Sequence, residues 1–191
     1  MSGEVTHSRT SATINKPIEE VWDFVTVPAN WVKLGLGTWK VHGSKGEDDT
    51  EPTSRPMKVG EHFLEYMRMP GQFDFVGDWV VTKSEHPHTW GFKSVKWHGP
   101  PLPTDIEATY TLEKIDENTT KWSRHRINTM SRAKKSEVDF LEGSSNLEEE
   151  YQNVSKSFIE TGKTGQESYN PKPPHPRGWL DTLQVTECYT S

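Results

Sequence analysis

An α+β domain is predicted for this chain from three patterns: strict alternation between Ile106 and Glu113, a short amphipathic helix at Ile18 to Val25, and a helical stripe at Leu147, Tyr151, Val154 and Phe158. Alternation at period two makes a strand with one buried face, and apolar spacings of three and four make a helix with one buried stripe. The order is a strand, a short helix, about six strands and a long closing helix.

Residues Val5 to Ile14 are rich in Thr and Ser without Pro or Gly, as a strand requires. Pro17 then suits the first turn of a helix, Glu19 and Glu20 place negative charge at its positive end, and Pro28 is expected to stop it after about three turns. Its stripe is Ile18, Val21, Trp22 and Val25. A further turn at Asn30 to Leu34, broken by Gly35 and Gly37, makes a short N-terminal helix pair. Thr38 to His42 is a strand, and the polar run Gly43 to Pro56 a mobile surface loop.

Glu61 to Met69 and Phe73 to Thr82 form the next strands around Pro70-Gly71, with Phe73, Phe75, Gly77, Trp79 and Val81 on one face. After the turn His86-Pro87-His88, Thr89 to Lys96 carries Trp90 and Phe92 on one side, and Trp97 to Pro103 is a stiff Pro-rich loop. Ile106, Ala108, Tyr110 and Leu112 face one way in the following strand. Lys121 to Met130 is ambiguous in sidedness. Placing Trp122 inward, for the apolar area it buries, carries Arg124 and Arg126 inward too. The closing helix runs from near Glu137 to near Gly162, and beyond it Gly165 to Arg177 is an extended Pro-rich tail, after which Trp179, Leu180 and Leu183 are available to dock back.

The 191 residues suit one domain, 1–162, followed by a tail, 163–191. A net charge of -6 argues against nucleic acid as partner, since polyanion binding needs basic stripes. The single cysteine, Cys188, excludes an intrachain disulfide and a cysteine-based zinc cage. With no leader before Val5 and no long apolar run, a cytoplasmic protein without membrane insertion is expected. Asn118 and Asn153 head glycosylation sequons that such a location would leave unused. Oligomeric state stays open, a homodimer included.

The element order, with "INKPIEEVWDFVTVPANW" (Ile14 to Trp31), Val59 to Phe63, Trp79 to Thr82 and Tyr110 to Glu113, resembles the START-like or Bet v 1-like (SRPBCC) superfamily. The polyketide cyclase/dehydratase and lipid-transport branch is the most similar. The resemblance covers roughly Val5 to Gly162. It implies a helix-grip fold, a curved antiparallel sheet wrapped around the long C-terminal helix, enclosing a hydrophobic cavity for lipids, hormones, sterols or polyketides. The glycine-rich loop of the plant allergen branch is absent, because Gly43 to Gly46 runs into acidic residues.

On that frame Trp79, Trp90, Phe92, Tyr110 and Trp122 fall on inward faces, as lining of a pocket or as plain core. Phe140, Leu147 and Tyr151 are the helix's contributions to substrate contact. Tyr66 and Arg68 share one strand face and Arg124 and Arg126 another. An inward arginine needs a carboxylate partner, for which Glu65, Asp74 and Asp78 are available, or an anionic ligand group such as a carboxylate, enolate or phenolate. His98, in the Pro-rich loop near the implied cavity mouth, is a candidate acid or base. Tyr66, His98 and Arg126 are thus the candidate catalytic residues, and no metal site is expected.

No serine-nucleophile, P-loop or dinucleotide signature is present, which leaves noncovalent proton transfer. The expectation is a cofactor-independent tailoring enzyme, a cyclase, dehydratase or isomerase acting on a hydrophobic polyketide-like natural product. The alternatives are a noncatalytic carrier or sensor of lipid-like ligands and, resting on the tail alone, an interaction module.

Overall fold

A computed structural model describes residues 4–34, 36–68, 74–98, 104–130 and 145–164. Seven strands form one antiparallel sheet in the order β1-β7-β6-β5-β4-β3-β2. They are β1 (Glu4–Ile14), β2 (Thr38–Gly43), β3 (His62–Arg68), β4 (Asp74–Glu85), β5 (Thr89–His98), β6 (Thr104–Asp116) and β7 (Thr119–Met130). The helices are α1 (Ile18–Val25), a 3-10 segment over Pro28–Leu34, and α2 (Ser145–Thr161). Phe140 and the 163–191 tail beyond Thr164 lie outside the described residues, as do the side chains of Arg68 and Leu147.

α1 buries the expected stripe, Ile18, Val21, Trp22 and Val25. Pro17 stands at its N-cap, where its carbonyl accepts from the Val21 N–H. The helix stops at Val25, earlier than Pro28 would dictate. Thr26 ends it by turning both its N–H and its hydroxyl onto the Trp22 carbonyl, the hydroxyl at 2.8 Å.

The helices cover one face of the sheet, the inner face. There Phe63, Trp79, Val81, Trp90, Phe92, Ala108, Tyr110, Leu112 and Trp122 pack with α1, Trp31 and Met57 in one cluster. β6 alternates as its sequence requires, Ala108, Tyr110 and Leu112 inward. Arg124 stands opposite Tyr110 and Arg126 opposite Ala108, so the choice made for Trp122 correctly turns both arginines inward. The expected mobile loop is tied instead: the Gly43 N–H meets the Asp49 carbonyl at 2.6 Å, and Met57, just beyond it, accepts from the Trp90 indole at 3.3 Å.

β5 differs most from expectation. Trp97 and His98 belong to the strand, not to a loop. The pairing with β4 slips one residue between Asp78 and Trp79, leaving Val95 as an extra residue on β5. Strict alternation from Phe92 would turn His98 inward; the bulge reverses the parity, so Trp97 packs on Trp79 and His98 faces the other way.

No helix among the described residues is long and apolar enough to cross a membrane. None of their His, Cys, Asp and Glu side chains form a group of three or more placed to hold a metal ion.

Candidate functional site

The inner face carries polar side chains from four elements within its aromatic cluster. Glu65 comes from β3, Arg124 and Arg126 from β7, Tyr110 from β6, and Glu148 and Tyr151 from α2. A charged group on such a face must find a partner, because leaving it unpaired costs more than the fold can sustain. Glu148 supplies that partner for both arginines, accepting one guanidinium on each carboxylate oxygen. The three form a buried triad that ties the helix to the sheet.

Arg124 also lies over two aromatic rings, 4.8 Å from the Tyr151 centroid and 5.7 Å from that of Tyr110. The Tyr151 hydroxyl donates to that of Tyr110, and burial holds both phenols above their ordinary range. Burial, then the neighbouring Arg124 charge, pulls Arg126 down to about 10.

Glu65 is 6% exposed and sits among these groups. Burial pushes its carboxyl up to about 7. Three weaker influences oppose that rise. The Thr38 hydroxyl donates at 2.5 Å, the Arg124 charge favours the anion, and the Trp79 indole N–H approaches without completing a hydrogen bond. A carboxyl poised near neutrality both gives and takes a proton, which is the requirement for general acid/base work.

Gly77 makes this arrangement possible. It faces Glu65 across β3 and β4, and a Cβ placed on it would stand 2.6 Å from Trp79 Nε1 and 3.0 Å from the Trp97 ring. Only a residue without a side chain lets both indoles lie across the strand here. Met67, Trp97 and Ile106, all partly exposed, continue the inner face beyond Glu65 and Gly77.

The sequence-predicted residues divide between the two faces. Trp79, Phe92, Tyr110, Trp122, Arg124, Arg126 and Tyr151 come together on the inner face, with Trp90 in the ring stack nearer α1. Tyr66 does not join them. It lies on the outer face with Leu64, Val76 and Trp39, and its hydroxyl donates to His42 Nε2 at 2.9 Å. His42 Nδ1 donates in turn to the Gly43 carbonyl at 2.7 Å. Burial pushes the Tyr66 phenol up to about 12 and the His42 imidazole down, so both are neutral packing groups.

His98 is corrected likewise: it pairs with Val76 and sits near Lys96 and Asp78, and burial lowers its pKa. Neither Tyr66 nor His98 shares a face with Arg124. Glu148 was missed by sequence reasoning, and Glu65 was considered only as an arginine's counter-charge. Alternation offers the signal for Glu65, which shares strand parity with Phe63 and Met67.

This architecture, a seven-stranded antiparallel sheet with a helix pair at one end and a closing helix across one face, matches solved structures over most of its length. Truncated norcoclaurine synthase from Thalictrum flavum aligns with a TM-score of 0.59 over 83% of this chain and 95% of its own, at 11% identity. The allergen Ara h 8.0201 gives 0.58 over 82% and 98%, at 9% identity. The chain has the Bet v 1-like helix-grip fold. DynU16, a putative protein of the dynemicin biosynthetic locus, gives 0.52 at 20% identity over 83% of this chain, which spans about half, 48%, of DynU16. In sequence, the chain is 26% identical over 163 residues to penitrem biosynthesis cluster 1 protein I of Penicillium ochrochloron, covering 80% of this chain and 95% of that protein. No family model matches the chain.

Proposed function

We propose that this protein is a tailoring enzyme of secondary metabolism that binds a hydrophobic, oxygen-bearing intermediate against the inner face and moves a proton within it. The observation that carries this reading is Glu65: a buried carboxyl poised near neutrality, beside an arginine and surrounded by aromatic rings. Similarity to a biosynthesis-cluster protein and the helix-grip fold support a ligand-binding or tailoring role at the coarser level.

The chemistry follows from the groups present. Ionised Glu65 takes a proton from a carbon next to a carbonyl, and the charge left on the enolate oxygen is stabilised by Arg124. In a dehydration, Glu65 then returns that proton to the departing hydroxyl oxygen, which leaves as water. In an isomerisation or cyclisation, the proton goes back to carbon or to the newly formed alkoxide. Arg126 and Glu148 hold Arg124 in place, and Trp79, Phe92 and Trp122 supply apolar walls that exclude competing water.

Deletion of the gene in its native host provides the test, followed by complementation with wild type or Glu65→Gln and profiling of metabolites. The reading predicts accumulation of an uncyclised or hydrated intermediate that wild type clears and Glu65→Gln does not. Full restoration by Glu65→Gln would instead establish the carrier alternative, for which an uncharged amide of the same shape suffices.

A further inference from the structure

β1 lies at one edge of the sheet, where β7 is its only strand partner. The strand pair turns different chemistry to its two faces. Arg124 and Arg126 point inward from β7, and His125, between them in sequence, points to the outer face. His7 of β1 stands opposite Ile127, one step diagonal from His125, and the two side chains meet.

Their contact runs from ring nitrogen to ring nitrogen, His7 Nδ1 to His125 Nε2 at 3.1 Å. The ring centroids are 5.3 Å apart and the planes 17° from parallel. That spacing is too wide for contact between the faces, so the rings meet through these nitrogen edges. While both imidazoles are neutral, one nitrogen donates and the other accepts, in an exposed position where water competes for the same groups. Arg9 stands opposite His125 and Glu107 opposite Ile127, so a cation and an anion flank the pair. Burial, then the nearby Arg9 and His7, holds the His125 imidazole below its ordinary pKa against the pull of Glu107, which keeps a lone pair available on that ring.

Two converging imidazole nitrogens are the first requirement of a site for a borderline metal ion. Bonds of about 2.0–2.1 Å that meet at about 90–110° set two nitrogens about 2.9–3.4 Å apart. The spacing between His7 and His125 falls inside that range. An ion would sit beside the present contact, each ring pivoting about its Cβ–Cγ bond, a broad torsion, to aim its lone pair. The exposure of His7 leaves room for that movement and for water on the open side.

We propose that His7 and His125 form a surface site for one divalent transition-metal ion of the imidazole-preferring kind, zinc or copper, which clamps the edge strand β1 to β7. Water fills the remaining positions, making the site a two-ligand clamp rather than an enclosed cage. Magnesium and calcium, which take oxygen ligands, have no claim on it. The clamp is independent of the proton transfer proposed for the inner face.

One equivalent of copper(II), added to the full chain at about pH 7.5, where imidazoles are neutral, tests the coordination by electron paramagnetic resonance. Hyperfine splitting from two imidazole nitrogens is expected in the wild type and from no more than one in His7→Gln or His125→Gln. Zinc binding measured by titration calorimetry should weaken by about tenfold or more in each variant. Because the ion bridges two strands of the folded chain, zinc should also raise the urea midpoint of the wild type and leave both variants unmoved, and magnesium should move none of them. Circular dichroism checks that the variants fold; should one misfold, the other decides.

A single-nitrogen spectrum in the wild type would overturn the clamp. So would a two-nitrogen spectrum or a zinc affinity that persists unchanged in the variants, since the ion would then be held by other side chains. Neither result touches the Glu65 chemistry, for which the metabolite profile of the deletion strain answers.

Discussion

The two faces of the sheet hold polar groups of similar kinds and use them differently. On the outer face, Tyr66, His42 and the Gly43 carbonyl close a short chain of hydrogen bonds in which each donor has its acceptor. Burial keeps the phenol and the imidazole neutral there, so the chain carries no net charge. On the inner face, two arginines share one glutamate, a second glutamate titrates near neutrality, and several donors stay unsatisfied. Burial alone therefore does not mark a reactive site. What distinguishes the inner face is buried charge, an arginine–glutamate cluster beside a carboxyl poised to titrate, a preorganised setting in which a ligand gains more than water would.

The sharpest way to break the contrast is to remove the inner counter-charge. Glu148→Gln keeps the shape of the side chain but takes its carboxylate away from two buried guanidiniums, and should cost about 3–5 kcal/mol in urea unfolding. A loss below about 1 kcal/mol would mean that the triad is solvated and that the inner face resembles an ordinary surface.

A smaller effect is expected outside. Tyr66→Phe removes one neutral hydrogen bond and leaves the His42 Nε2 acceptor buried, at a cost of about 1–2 kcal/mol. Neither Tyr66→Phe nor His98→Gln should alter complementation of the deletion strain. Failure of either variant to complement, with the fold intact, would return chemistry to the outer face.

The frame of this molecule was legible because its signals are periodic. The stripe Ile18, Val21, Trp22 and Val25 and the alternation from Ile106 to Leu112 each fix a face locally, and the structure buries those faces. The site was only half legible. Arg124 and Arg126 followed from one decision about Trp122, because strand parity propagates along β7. Tyr66 and His98 failed for different reasons. Tyr66 is an aromatic on the less aromatic face, where a local His42 partner makes it buryable. His98 depends on a one-residue bulge at Val95, which leaves no mark in composition. Glu148 was invisible because its partners lie more than twenty residues away and a charged residue in the first turn of a helix is ordinarily read as dipole compensation.

Proton transfer on the inner face turns on the protonation of Glu65. Folded, this carboxyl holds its proton more tightly than an unfolded chain would, so its contribution to stability is present at acid pH. That contribution is lost as pH rises through about 7. The direct measurement is a carbon NMR titration of the labelled glutamate carboxyls in the intact protein, with Glu65 assigned by the signal that Glu65→Gln removes. A midpoint near 7 is the predicted result. A midpoint in the ordinary glutamate range, about 4, would contradict it and leave the inner face without its proton carrier.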